Sequence, residues 1–424
     1  MRLPAFPFLP AISYHKDTFM KNGQRFAALY VRDFRLFWLG QIVSLSGTWM
    51  HSVAQSWLVY SLTKSPLYLG IVASLSALPI LLLSLFGGML ADKYPKRNIL
   101  IVTQVLSILP ALVVAVLADL QIITVWHVCL TASFLGIVNA FDVPARQSFL
   151  AEVVSKGDIT NAIALNSAAF NGARIIGPVI AGFVIAHLGI PACFYLNALS
   201  FVPVIFVMWS IREKGVVKVS GEGTLSGIAD GWKFVVGNKP IFYIMCLIAV
   251  FSLFGIPYIT LLPVLAGDIF HRGAKGLSLL VASAGAGSFL AAMYIAFKGE
   301  VPRKDLYLPV SGLIFSLAIA GISFSTDFHL SMVLIFFAGW GIVSFLATGN
   351  SFIQQAVQDK LRGRVMSLYT LVFLGFAPLG NSVIGFTADV FGSMTSLKVF
   401  AFLCLAGSII FFRKFGSFDE TAGG

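Results

Sequence analysis

The sequence predicts an all-α membrane protein, with twelve transmembrane helices in two pseudo-symmetric six-helix bundles. Composition is the first reason: 58% of the 424 residues are hydrophobic and 11% are charged, against roughly 25% charged in soluble domains. So few charges cannot cover a water-soluble surface of this size. Run length is the second. Residues 66–86 and 98–118 carry no charge, and each can cross a bilayer, which takes about 20 helical residues. A β-barrel, the other backbone that lipid allows, would show short alternating segments. Internal repetition is the third. Ser133, Phe134, Leu135, Asn139 and Phe141 recur at offset 211 as Ser344, Phe345, Leu346, Asn350 and Phe352. Phe170, Gly172, Gly177, Gly182, Phe183 and Gly189 recur at offset 203 as Phe373, Gly375, Gly380, Gly385, Phe386 and Gly392. Spans 4–5 therefore correspond to spans 10–11.

The spans are expected at about 35–60, 66–91, 98–119, 122–143, 160–187, 190–211, 241–266, 275–297, 305–325, 329–350, 364–389 and 396–412. Span 1 carries a polar stripe, Gln41, Ser44, Thr48, His51 and Gln55, at steps of three or four. One helix face is thus polar, as a water-filled cavity needs. Spans 2 and 3 are joined by a dense charge cluster, a tight loop. Span 4 carries Trp126, His127 and Thr131 toward one end and Asp142 toward the other. His51 and His127 both fall in the outer half, a candidate shared site, and His titrates near neutral pH. Span 5 holds Arg174, with Asn171 and Ser167 on its face. A base there is expensive unless it meets a partner or water. Two readings stand: an anion-binding or coupling residue in a cavity, or a buried pair with Asp142 or with carbonyls. Between the halves, Leu225, Ile228, Trp232 and Val235 recur at helical spacing and predict an amphipathic helix on the membrane face. Span 10 repeats the polar pattern weakly in Trp340, Ser344, Thr348 and Gln355.

Lys and Arg set the orientation, because loops rich in them stay inside. Of the 29, 24 fall on one side, Lys64, Arg272, Lys275 and Lys398 on the other, and Arg174 alone lies within a span. The expectation is a cytoplasmic segment 1–34, bundles 35–212 and 240–414, a cytoplasmic linker 213–239 and a cytoplasmic tail 415–424. The net charge of +11 is thus read as topology and not as a nucleic-acid surface. The first apolar stretch is followed by many more, so it is expected to be a span and not a cleaved signal. Cys129, Cys193, Cys246 and Cys404 lie in apolar segments without metal-ligand spacing and read as small buried hydrophobes. The sequence shows no Gly-Lys-Ser/Thr nucleotide loop, metal cluster or nucleophile constellation. Neither enzyme activity, ATP drive nor a cofactor is expected.

The loop Gly87-Gly88-Met89-Leu90-Ala91-Asp92-Lys93-Tyr94-Pro95-Lys96-Arg97 resembles the signature loop of the major facilitator superfamily. Lys93 stands where that signature usually has Arg, and Pro95 where it usually has Gly. Arg32-Asp33-Phe34-Arg35-Leu36-Phe37-Trp38-Leu39-Gly40, Pro144-Ala145-Arg146-Gln147, Gly177-Pro178 and Leu361-Arg362-Gly363-Arg364-Val365-Met366-Ser367 narrow the likeness. Together they are similar to the bacterial branch of enterobactin-exporter-type and macrolide-efflux-type permeases, from about residue 25 to 412. Ala181 stands in one glycine position of the Gly-Pro-x-x-Gly-Gly element found in drug-proton antiporters.

The resemblance implies roles for named residues. Asp92 would meet the start of span 11, near Arg364 and Ser367, and close an inner gate that includes Gly88, Lys93 and Arg146. Arg97 would pair with the span-4 acid Asp142; the alternative is a local pair of Asp142 with Arg146 at i+4. Overall it implies a monomeric transporter of the bacterial inner membrane, surrounded by lipid and without a nucleic-acid partner. It would export a small amphipathic molecule by alternating access, siderophore or drug-like, with protons as coupling ion. A lysophospholipid flippase of the same fold and a non-transporting sensor or assembly factor are the rival readings.

Overall fold

The computed structural model describes residues 27–155, 157–211, 225–298 and 303–420. Most of the expected segment 1–34, residue 212 at the end of the first bundle, residues 213–224 of the linker and residues 421–424 of the tail lie outside them. Twelve long helices run through the described residues. The first half holds α1 (Arg32–Thr63), α2 (Pro66–Lys93), α3 (Lys96–Asp119), α4 (Val125–Val153), α5 (Ile159–Leu188) and α6 (Ile190–Ser210). The second holds α7 (Lys239–Ile269), then α8 (Gly273–Lys298), α9 (Lys304–Phe324), α10 (Phe328–Ala356), α11 (Asp359–Phe391) and α12 (Ser393–Glu420). Among the described residues, eleven helices are long and apolar enough to cross a membrane. The twelfth long helix is α1, and its polar stripe is what lowers its hydropathy.

Local sequence explains the boundaries. Pro66 opens α2 and Pro191 sits in the first turn of α6, where a missing N–H breaks no helical bond. Gly189 and Gly392 end α5 and α11 with φ of +83° and +86°, a conformation that a Cβ disfavours. α4 runs ten residues past its expected end at 143. Pro144 is absorbed within it, because Phe149, Leu150 and Val153 are buried against the basic end of the first half. So Arg146 sits on a helix and not in a loop.

The halves repeat one packing plan. α2 packs on α4 as α8 does on α10, α3 on α6 as α9 on α12, and α1 on α5 as α7 on α11. The repeated glycines serve this plan. A Cβ on Gly177 would press on Trp49 and Ser46 of α1, and one on Gly380 would press on Leu253 and Ser252 of α7. Small residues let helices approach where lipid supplies no hydrophobic drive between them. The halves themselves meet through α2 with α11 and α5 with α8.

One symmetry is broken. α7 alternates α-helical pieces, Lys239–Val250 and Tyr258–Val264, with π-helical turns at Phe251–Gly255 and Leu265–Ile269. Pro257 and Pro263 lack the N–H that a regular ladder needs, and wide turns absorb the defect. A helix also covers Leu225–Gly237, the stretch expected to be amphipathic. Its Val235 is buried and its Trp232 exposed, and Gly231 packs against Arg364 at the start of α11. Of the four cysteines, three are buried as expected, but Cys246 is exposed, because it lies on the outer side of α7, where an apolar surface needs no cover.

Candidate functional site

The two halves are closed on the side away from the basic loops. Tyr60 at the end of α1 donates its hydroxyl to the Asp268 carboxylate of α7. The Lys64 ammonium lies 4.3 Å from the centre of the Tyr60 ring, a cation–π contact. Ser65 donates to Asp389 at 2.5 Å. A turn deeper, the Ser74 hydroxyl donates to the Pro378 carbonyl at 2.6 Å and lies 2.8 Å from Ser382. Glycines make the closeness feasible. A Cβ on Gly267 would overlap the Tyr60 ring, and Gly70 faces Gly385 across the seam. Gly182, the equivalent of Gly385 in the first half, meets Ser278 of α8 in the same way.

On the basic side the halves splay apart. Gly70, Ser74, Leu81, Leu85, Gly88 and Asp92 share one face of α2, by helical spacing. That face is covered at Gly70 and Ser74, touches Gly375 at Leu81, and is bare beyond: Leu85 is 77% exposed and Gly88 has open space around it. The matching face of α11 is covered at Gly385, Ser382 and Pro378 and exposed at Leu371, Ser367 and Arg364. Asp92 and Arg364 are thus exposed on facing surfaces. Gly87, one residue away, packs tightly on the Ala140 carbonyl of α4 and fixes α2 within its own half.

Arg174 sits where closure gives way to opening. It lies at the middle of α5, and its backbone carbonyl is the group against which Gly285 of α8 packs. Its guanidinium lies over the Trp49 ring of α1, 5.4 Å from the centroid. Phe170, one turn nearer the opening, meets Trp49 edge-to-face at 5.8 Å and is itself exposed. Arg174 forms no ion pair among the described residues. The pair with Asp142 is therefore not formed.

Asp142 belongs to a different cluster. Buried between α3 and α4, it accepts from Thr103 at 2.7 Å, Gln104 at 3.0 Å and Arg146 at 2.8 Å. Arg146 also donates to Gln41 of α1, and Ser44 approaches Gln104 at 3.5 Å. The local i+4 pair is the one formed. Arg97 instead donates to the Met208 and Trp209 carbonyls at the end of α6, at 2.8 and 3.1 Å, because helix C-termini leave carbonyls without partners. Lys96 pairs with Glu152 at 2.5 Å, and Lys93 lies by the Tyr94 ring.

The polar stripe of α1 divides accordingly. Gln41 and Ser44 are buried inside the first bundle and do not line a cavity; only Thr48 is exposed, its hydroxyl bonded to the Ser44 carbonyl. His51 is buried, bonded to Gln55 at 3.0 Å and packed edge-on against Phe194 of α6. Its Nδ1 has no partner. His127 does not join it. Its Nδ1 accepts from the Thr124 backbone N–H at 3.1 Å and caps α4. Asn171 bonds the Ser167 carbonyl at 2.8 Å, below Arg174. In α10, Ser344 and Thr348 are buried core residues; Ser344 accepts from Tyr307 at 2.9 Å and Thr348 has no partner. Tyr60, Asp268, Gly267 and Trp49 were not singled out from sequence. Residues 208 apart, as Tyr60 and Asp268 are, leave no pairing signal in one sequence.

Comparison with known proteins agrees with this architecture. The family described as transmembrane secretion effectors matches residues 24–421. The staphyloferrin A transporter of Staphylococcus aureus is 27% identical, over 89% of this chain and 95% of its own. The multidrug efflux pump Tap of Mycolicibacterium fortuitum is 26% identical over 82% and 87%. The macrolide efflux protein A of Streptococcus pyogenes is 20% identical over 85% and 90%. Among solved structures, the nucleoside transporter NupG aligns with a TM-score of 0.72 at 13% identity, covering 91% of this chain and 99% of its own. A bacterial homologue of the lysosomal transporter Spinster, inward-facing and unoccupied, aligns at 0.70 and 12%, covering 94% and 98%.

Proposed function

This chain belongs to the transmembrane secretion effectors, a family of major facilitator transporters, and on that premise we propose that it exports a small amphipathic molecule from the cytoplasm across the bacterial inner membrane, using the proton gradient. The observation that carries the proposal is the wedge between the halves: joined at Tyr60–Asp268 and Ser74–Ser382, bare at Leu85, Gly88 and Leu371. The 24-to-4 asymmetry of Lys and Arg puts the bare side in the cytoplasm, where an exporter loads. Alternation would bring Asp92 of α2 against the start of α11, whose N-terminus favours a carboxylate, while the outer contacts part. The empty space at Gly88 is room for that approach. Relatives whose names specify siderophore, multidrug and macrolide transport support export.

The test is a substrate-panel uptake assay in inside-out vesicles, with and without an uncoupler. Uptake of at least one amphipathic compound, lost with the uncoupler, is expected. Uptake that ignores the uncoupler would remove proton drive. Movement of lysophospholipid alone would replace the proposal with lipid flipping.

A further inference from the structure

We infer that Arg174, Trp49 and Phe170 form the binding subsite for a substrate that carries an oxyanion, a carboxylate above all, on an aromatic or apolar body. The inference rests on the export reading and names the substrate class of its cavity. The guanidinium offers five N–H donors in a planar fork. None is hydrogen-bonded to a described residue, and among the described ion pairs none involves Arg174. A lone base at this depth is stabilised by water or by a bound anion.

The surroundings match such a ligand. Asp142, the buried acid of α4, is saturated by Thr103, Gln104 and Arg146 and forms no ion pair with Arg174. The other described carboxylates of the spans, Asp92, Asp119, Glu152, Asp268, Asp305 and Asp389 among them, sit at helix ends. The middle of the cavity is therefore net positive. Trp49 braces the guanidinium from behind, and the exposed Phe170 ring stands perpendicular to it, a wall for a flat or apolar body. Arg suits an oxyanion where Lys does not, because its fork matches two oxygens at once.

The purified full chain in nanodiscs provides the test, read by thermal unfolding. The probes are 3-phenylpropionate, naphthalene-2-carboxylate and indole-3-acetate, the neutral amide of each, 3-phenylpropylammonium, and lysophosphatidylglycerol. At about ten times its Kd a bound carboxylate should raise Tm by roughly 2 °C, with no shift from amides or the cation. Arg174→Gln should unfold normally without probe and lose the shift; Arg174→Lys should keep a fraction of it. Equal shifts from acid and amide, a shift that persists in Arg174→Gln, no shift from any carboxylate, or a shift from lysophosphatidylglycerol alone would each overturn the inference. Vesicle uptake of a cation without carboxylate binding would leave export standing and remove this substrate class. Carboxylate binding through Arg174 without uptake would do the reverse.

Discussion

The first half of this molecule is charged where the second is neutral, although the two fold alike. At offset 211, Asp142 and Arg146 become Ile353 and Val357, both buried. At offset 203, Arg174 becomes Ala377. Where the first half buries an ion pair with Gln41, Thr103 and Gln104, the second buries Phe251 between Phe315 and Phe345, at 4.9 and 5.1 Å. The glycines matched at offset 203 did not diverge, although Gly136 becomes Ala347 at offset 211. Gly177 and Gly380 seat the fifth helix of each half on the first, Gly182 and Gly385 meet the opposite half, and Gly189 and Gly392 turn the chain. Close approach at Gly177 and Gly380 and positive φ at Gly189 and Gly392 favour glycine in both halves, so these positions stay paired after duplication. Polar groups inside a half need only partners within that half, so they are free to differ. The second half contributes a different asset, the interrupted helix α7, which carries Asp268 across to Tyr60 of the first.

The largest expected effect tests that asymmetry at its centre. Arg174→Ala should lower uptake per folded molecule by about 30-fold or more, from the roughly 2–5 kcal/mol lost when one partner of a buried charge pair is truncated. Uptake equal to wild type would leave Arg174 a packing residue and make the halves equivalent in function.

Next comes the ion pair. Asp142→Ala strands Arg146 and should cost about 3–5 kcal/mol of stability, seen as a lower unfolding temperature in detergent. The double variant Asp142→Ile, Arg146→Val imports the second half's own residues and should recover most of that loss. A double variant as unstable as the single one would show that the two cores are not interchangeable.

Gly267→Ala probes the contribution of α7. Its methyl would overlap Tyr60, at about 1–3 kcal/mol for an overpacked contact. Disulfide formation between cysteines placed at Ser65 and Asp389 should fall several-fold. Unchanged cross-linking would mean that the outer closure does not depend on this approach.

Asp92→Asn should act least, because a helix N-terminus holds a carboxylate by only about 0.3–1 kcal/mol. Uptake reduced roughly two- to five-fold, with folded protein unchanged, is expected. Full activity would remove Asp92 from the inner gate.

Much of this was legible in the sequence, for physical reasons. Periodicity and run length determine helices in lipid, so the twelve helices stand where the apolar runs put them. Glycine matches at a single offset marked the duplication. The i+4 spacing of Asp142 and Arg146 offered their pair as the alternative to Arg97, and that pair is the one formed, whereas the cap that His127 makes with Thr124 was not read from the sequence. Helix-face arguments failed at Gln41, Ser44 and Ser344. A polar stripe shows that a face avoids lipid, but a bundle interior with matched partners satisfies that as well as a cavity does. The outer closure was illegible because Tyr60 meets Asp268 only through the docking of two halves.

The opening toward the cytoplasm is the claim on which the rest depends. It is tested most directly by Leu85→Cys in a background with all four native cysteines replaced, since Cys246 is itself exposed. A membrane-impermeant maleimide should label Leu85→Cys in inside-out vesicles and leave it unlabelled in right-side-out ones. Labelling from the outer side, or from neither, would contradict the account.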